Sequence, residues 1–144
     1  MKKLKFSQLL AAIAIMLGLT FQSCSKDSTS SSEDLTVTIV GTYMCQVSQQ
    51  TGSNYTVIGS NISTLITKEN NTTIKIAITG RETVTATVSK QSSYFLIDVI
   101  DQAGITNGHS GDFGNNEINF GYTKETTVNG ITSSVVLGYY GTKQ

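Results

Sequence analysis

Apolar and polar residues alternate with a period of two along most of the chain after residue 35. This pattern predicts strands with one buried face, because successive side chains of a strand point to opposite sides. The clearest example is a pair of runs at 74–78 and 84–88, in which Ile, Val and Ala alternate with Thr, Ala and Lys. A three-residue loop at 80–82 would pair Ile78 with Val84 and place the apolar residues of both strands on one face.

A second hairpin is predicted at the end of the chain, around Asn129-Gly130. This dipeptide favours a two-residue turn, since both positions tolerate positive φ. Pairing outwards from the turn sets Phe120 opposite Tyr139 and Tyr122 opposite Leu137. The aromatic and branched side chains then share a face, as cross-strand packing favours.

Four further segments have the composition and alternation of strands. They are 35–48 with a break near Gly41, 54–67 with a bend near Gly59-Ser60, 94–100, and a short piece at 109–113 before a turn at 114–116. The glycine-rich residues 101–111 are predicted to form a long, mobile loop. About eight strands joined mostly by short loops predict one all-β domain, a single antiparallel up-and-down barrel whose closure removes the sheet edges. A two-sheet β-sandwich is the alternative.

The first 24 residues have a different character. Lys2, Lys3 and Lys5 precede an apolar run at 9–19, which ends in a polar break before Ser23-Cys24. The run is far shorter than the roughly 20 residues of a membrane-spanning helix, so it predicts a secretory signal peptide. A cysteine after a small residue at the junction resembles the bacterial lipobox and predicts lipidation of Cys24. An ordinary cleaved signal with an incidental cysteine is the alternative.

The chain therefore divides into a lipoprotein signal peptide at 1–23, a flexible Ser-rich tether at 24–34 and a folded domain at 35–144. The tether has no large apolar residue and cannot bury enough surface to offset its ordering entropy. Acyl chains on Cys24 would hold the protein at the outer membrane, because each buried methylene contributes about 0.8 kcal/mol. The polar start Ser25-Lys26-Asp27 resembles export signals of surface lipoproteins of the Bacteroidetes, so the cell surface is favoured over the periplasmic face.

The charge balance argues against nucleic acid as a partner. The chain has 10 basic and 10 acidic residues, and three of the lysines lie in the leader. The mature protein then has a net charge of about −3, whereas binding to nucleic acid needs a basic face. With Cys24 acylated, Cys45 would have no disulfide partner and is predicted to be a buried, inert thiol.

Several short motifs, in this order, resemble the calycin-like or lipocalin-like domains of small Bacteroidetes lipoproteins. They are Val40-Gly41-Thr42-Tyr43, the Ile-x-Ile-x-Ile run at 74–78, the segments at 108–113 and 118–122, and the close at 138–143. The resemblance covers residues 40–144. It implies an eight-stranded barrel or half-open barrel and an envelope location, and it implies almost no particular chemistry.

Candidate catalytic groups are sparse. His109, the only histidine, is next to Ser110, but neighbours on a strand point to opposite faces, so His109 could not easily serve Ser110 as a base. Four carboxylates could gather around a cation, but their spacing fits no calcium loop; they are Asp98, Asp101, Asp112 and Glu117. We therefore predict no catalytic residues, no metal and no cofactor. A surface hydrolase or an enzyme inhibitor is the alternative.

The aromatic residues are the candidates for ligand binding. Five of them could line a cavity for an apolar or sugar ligand, and an ordinary packed core is the competing interpretation; they are Tyr43, Tyr94, Phe120, Tyr122 and Tyr139. The sequence thus predicts a lipid-anchored, non-enzymatic binding or interaction module. Its partner would be an unknown small ligand or an envelope protein.

Overall fold

The computed structural model describes residues 33–144, which lie within one compact unit. The predicted signal peptide, the predicted lipidation site Cys24 and nearly all of the predicted tether lie outside the described residues. Within the described part of the chain, no helix is long and apolar enough to cross a membrane.

Eight strands form one antiparallel sheet. They are β1 (Gly41–Thr51), β2 (Asn54–Asn70), β3 (Thr73–Ile78), β4 (Thr83–Lys90), β5 (Phe95–Val99), β6 (Ile105–Gly114), β7 (Glu117–Val128) and β8 (Ile131–Lys143). Each strand pairs with its neighbours in sequence, and β1 also pairs with β8, so the sheet closes into a ring. The predicted all-β class, antiparallel pairing and sequential strand order are confirmed.

The closing hairpin has the predicted register. Phe120 lies opposite Tyr139 and Tyr122 opposite Leu137. The turn residues Asn129 and Gly130 have φ angles of 53° and 78°, the left-handed values that a type I′ turn needs. The turn dipeptide therefore fixes the pairing of β7 with β8 over the whole hairpin.

The predicted register of the β3–β4 hairpin is wrong by two residues. Ile76, rather than Ile78, lies opposite Val84. The connection is longer than predicted because the amide of Thr79 bonds to Ser63 of β2, so the chain has left the β3–β4 ladder by that point. A shift of two residues leaves every side chain on its original face, so alternation alone could not detect it.

The predicted strand at 35–40 is also wrong. These residues form turns, in which the amides of Ile39 and Val40 both donate to the Thr36 carbonyl, at 2.9 and 3.0 Å. Ile39 is fully buried in the core, and its carbonyl accepts a 2.6 Å hydrogen bond from the Tyr43 hydroxyl. Leu35 and Ile39 pack against the core instead of belonging to a strand, whereas Val37 between them is 64% exposed.

The predicted loop at 101–111 is largely strand β6, which begins at Ile105. Its register with β7 shifts on both sides of His109, and these irregularities hide the period-two pattern. Two of the three glycines at 101–111 are explained by close approach, because a Cβ on Gly108 or Gly111 would lie 1.9 Å from a carbonyl oxygen of the neighbouring strand. Gly104 lies before the strand and has a φ of 76°, which favours glycine.

An irregularity lies where a bend was predicted in the second strand. The register of β1 with β2 shifts at Val47, opposite Gly59, and the nearby Asn61 has a φ of 57°. The inward side chains of all eight strands form one continuous hydrophobic core. Cys45 belongs to this core as a buried free thiol.

Candidate functional site

The five predicted ligand-binding aromatics do not form one site. Tyr43, Phe120, Tyr122 and Tyr139 are fully buried in the core, whereas Tyr94 is 41% exposed. Phe120 and Tyr139 stack with ring centroids 4.7 Å apart, and Tyr122 stacks on Tyr139 at 5.5 Å. These four rings contribute to the packing inside the ring of strands.

The hydroxyls of two buried tyrosines are tied to a charged pair. The Tyr122 hydroxyl lies 2.6 Å from a Glu82 carboxylate oxygen and 2.7 Å from the Tyr139 hydroxyl. Lys124 donates to the other Glu82 oxygen at 2.6 Å. Burial and the carboxylate raise the pKa of Tyr122, while burial raises the pKa of Tyr139. Both tyrosines therefore stay protonated and link the β3–β4 turn to β7 and β8.

The serine–histidine pair lies on the outside of the ring. Ser110 is opposite Asp98 in the β5–β6 ladder, and its hydroxyl donates directly to that carboxylate. A nucleophilic serine instead needs an imidazole between its hydroxyl and the carboxylate. His109 is exposed. Within residues 33–144 no three His, Cys, Asp or Glu side chains are grouped as metal ligands.

A depression of about 470 Å³ crosses the outer face of β1, β8, β7 and β6. Its floor is formed by Gly121 and Gly138, which lie directly opposite each other. A Cβ on Gly121 would be 3.5 Å from the His109 Cβ, and one on Gly138 would be 3.0 Å from the Ser48 Oγ. Both missing side chains would therefore point out of the ring, and we call the depression the glycine groove.

Exposed tyrosines line the glycine groove, and each has an amide side chain beside it. Tyr140 is 52% exposed and lies between Gln46 on β1 and Asn119 on β7. Tyr55 is 66% exposed and lies opposite Gln50. The groove thus combines flat apolar rings with groups that both donate and accept hydrogen bonds.

A second outer depression, of about 540 Å³, adjoins the glycine groove. The two share Asn119 and Tyr140, and the second extends to Tyr94 and Glu117. A hydrogen bond to Glu117 raises the pKa of the Tyr140 hydroxyl, which therefore remains protonated at neutral pH. Among the residues that the structure describes, no lysine or arginine lines either depression.

Of the five predicted aromatics, Tyr94 is exposed and lines the second depression. Phe120 and Tyr139 also border the glycine groove, although each is only 1% exposed, whereas Tyr43 and Tyr122 border neither depression. Comparison of the chain with protein-family models, with curated proteins and with solved structures found no match.

The sequence-based reasoning missed the glycine groove although the signal was present. The register predicted from Asn129-Gly130 already sets Gly121 opposite Gly138. Alternation from the inward Tyr139 already turns Tyr140 outwards. What the sequence could not supply was Tyr55 and Gln46, because they come from strands whose pairing depends on ring closure and on the bulge in β2.

Proposed function

We propose that this protein is a lipid-anchored, non-enzymatic binding module of the bacterial cell envelope. In this proposal, acyl chains on Cys24 hold it at the outer membrane, and its folded domain is a calycin-like barrel facing the cell surface. The observation that carries the binding role is the glycine groove, an exposed site on a rigid sheet that is lined by tyrosine and amide side chains.

The calycin-like assignment is supported by two features. Eight strands follow one another around a closed ring in sequence order, as in up-and-down barrels. In addition, the Gly41-Thr42-Tyr43 motif has a structural use, since Gly41 begins β1 and the Tyr43 hydroxyl bonds to the carbonyl of Ile39.

Binding on the outer face is favoured over binding inside the ring. The interior aromatics are fully buried, and within the described residues every buried side-chain nitrogen or oxygen has a hydrogen-bond partner. A ligand inside would have to displace packed side chains and break those bonds, which costs free energy. The glycine groove is accessible without such rearrangement.

A hydrolase is not favoured by the arrangement of its candidate groups. His109 and Ser110 both border the glycine groove. However, the Ser110 hydroxyl is bonded directly to Asp98. This arrangement positions a polar group for contact with a ligand rather than activating a nucleophile.

The anchor is tested by expressing the full chain in a bacterium with lipoprotein processing and comparing wild type with Cys24→Ala and Cys45→Ala. We expect the wild type and Cys45→Ala to fractionate with the outer membrane and to carry the mass of acyl chains. Cys24→Ala should lose both properties. A Cys24→Ala protein that keeps its membrane association and its mass would refute the anchor. Protease digestion of intact cells then distinguishes the surface from the periplasmic face.

A further inference from the structure

We infer that the glycine groove and the adjoining depression bind a neutral oligosaccharide chain. This inference rests on the proposed binding function and names the chemical class of its ligand. Three exposed tyrosines, Tyr55, Tyr140 and Tyr94, follow one another along the two depressions, with Tyr140 at their junction. The other three tyrosines of the chain are buried.

Exposed aromatic rings suit sugars because a pyranose has an apolar face of C–H groups. That face packs on an aromatic ring through burial of apolar surface and weak C–H contacts. The exposed part of a tyrosine ring adds no burial of apolar surface to the folded chain. Tyr140 and Tyr55 are both more than half exposed, at 52% and 66%, so they are available as stacking platforms.

Amide groups suit the hydroxyl edges of the same sugars. A sugar hydroxyl both donates and accepts hydrogen bonds, and Gln and Asn side chains do the same. Gln46 and Asn119 flank Tyr140, and Gln50 lies opposite Tyr55. A sugar ring stacked on Tyr140 or Tyr55 would therefore place its edge hydroxyls beside the amide of a Gln or Asn side chain.

The charge of the lining selects against acidic ligands. Phosphate, sulfate and uronate groups are recognised by Arg and Lys, and among residues 33–144 neither type lines either depression. Asp112 and Glu117 border the second depression and would repel an anion. The remaining polar groups are neutral hydroxyls and amides together with His109.

The shape favours a chain over a single sugar. The two depressions have volumes of about 470 and 540 Å³, and each alone is within the range of small-ligand sites. Since they share Tyr140 and Asn119, a ligand that filled both would be extended along the outer wall. Gly121 and Gly138 give the groove its depth, because any side chain there would project from the floor.

The test uses the full chain purified in detergent and a panel of neutral hexasaccharides with gluco-, xylo- and manno-configured backbones. Oligogalacturonate and heparin oligosaccharides serve as the acidic set. Binding is followed by calorimetry and by tyrosine fluorescence, which no tryptophan masks in this chain. We expect at least one neutral hexasaccharide to bind, and to bind more tightly than its monosaccharide.

Three variants localise the binding. Tyr140→Ala should weaken it by about tenfold, the scale of one lost aromatic contact. Gly138→Val should abolish it by filling the floor, and the neighbour that the Cβ would meet within the described part of the chain is the rotatable Ser48 hydroxyl. Leu65→Ala removes an exposed apolar side chain of β2 that lines neither depression and should leave binding unchanged. Circular dichroism checks that each variant is folded.

Each contrary outcome overturns a distinct statement. Preference for the acidic set, or no binding to any neutral sugar, refutes the ligand class while leaving the Cys24 anchor intact. Sugar binding that survives Gly138→Val refutes the location. Capture of an envelope protein that is lost in Gly138→Val and Tyr140→Ala, without sugar binding, refutes the sugar and retains the groove as a protein contact.

Discussion

Replacing Tyr122 with phenylalanine would remove one hydroxyl from the interior of the closed sheet and leave the stacked aromatic side chains in place. That hydroxyl takes part in two hydrogen bonds, of 2.6 Å to Glu82 and 2.7 Å to Tyr139. A hydrogen bond to a charged group contributes about 1.5–3 kcal/mol, and one between neutral groups about 1 kcal/mol. Since Glu82 keeps its bond to Lys124 and has some access to water, we expect Tyr122→Phe to lower the free energy of unfolding by about 2–3 kcal/mol.

Two matched variants make this value interpretable. Tyr139→Phe removes the hydrogen bond between the two neutral hydroxyls but keeps the bond from Tyr122 to Glu82. It should therefore lower the free energy of unfolding by about 1 kcal/mol. Tyr94→Phe removes a hydroxyl from a ring that is 41% exposed, and it should change the free energy of unfolding by less than about 0.5 kcal/mol.

The free energy of unfolding is measured by urea denaturation of residues 32–144, followed by far-ultraviolet circular dichroism. The slope m is compared between the variants, because an equal slope shows that the change is one of stability. A double-mutant cycle between Tyr122→Phe and Glu82→Gln separates their interaction from the cost of each change. If Tyr122→Phe destabilises no more than Tyr94→Phe, or if the cycle gives no coupling, the network linking the β3–β4 turn to β7 does not stabilise the fold.

Two other predictions concern pH and strand packing. Burial raises the pKa of Glu82, but hydrogen bonds from Lys124 and Tyr122 outweigh it and lower the pKa below its ordinary value. The stabilisation that the Glu82 carboxylate contributes is thus complete above the pKa of about 4.3 that a glutamate has in the unfolded chain. It is lost as the pH falls through the lower pKa of Glu82 in the folded protein. The stability difference between wild type and Glu82→Gln should shrink from pH 7 to pH 3 in urea unfolding, and a constant difference would contradict this. Gly111→Ala would place a Cβ 1.9 Å from the Asn119 carbonyl oxygen, so we expect at least about 3 kcal/mol of destabilisation or failure to fold. Thermal melts against Gly138→Ala check this, and equal melting temperatures would show that β6 does not approach β7 so closely.

Sequence reasoning succeeded where a local signal fixed a non-local pairing. Asn129-Gly130 demands positive φ at both positions, and that requirement sets the register of the whole β7–β8 hairpin. At the β3–β4 connection no such dipeptide exists. Registers that differ by two residues there bury the same isoleucines, so the sequence pattern could not distinguish them.

The other errors arose where tertiary contacts override the local pattern. Ile39 has the spacing of a strand residue, but it is buried from a turn that packs against the ring. Gly108 and Gly111 have the composition of a loop, but they lie in a strand pressed against its neighbours. In both cases the deciding contacts come from residues distant in sequence.

The candidate site was predictable only in part. The sequence indicated aromatic side chains as the candidates for ligand binding, and alternation from Tyr139 turned Tyr140 outwards, but the position of Tyr55 beside it depended on the pairing of β1 with β2 and with β8. Tyr139 and Tyr140 are adjacent in sequence, so alternation predicts that one is buried and the other, at 52%, is exposed. Only the assembled ring shows that Tyr55 and Tyr140 belong to the same depression.

Closure of the ring through β1 and β8 has a consequence for how fast the chain folds. Tyr43 pairs with Lys143, near the opposite end of the domain. The entropy of closing so long a loop must be met before those contacts form, which slows folding. The ring also cannot be completed until the last strand has been made. In the proposed exported protein, the domain therefore cannot complete its fold until β8 has crossed the membrane and paired with β1.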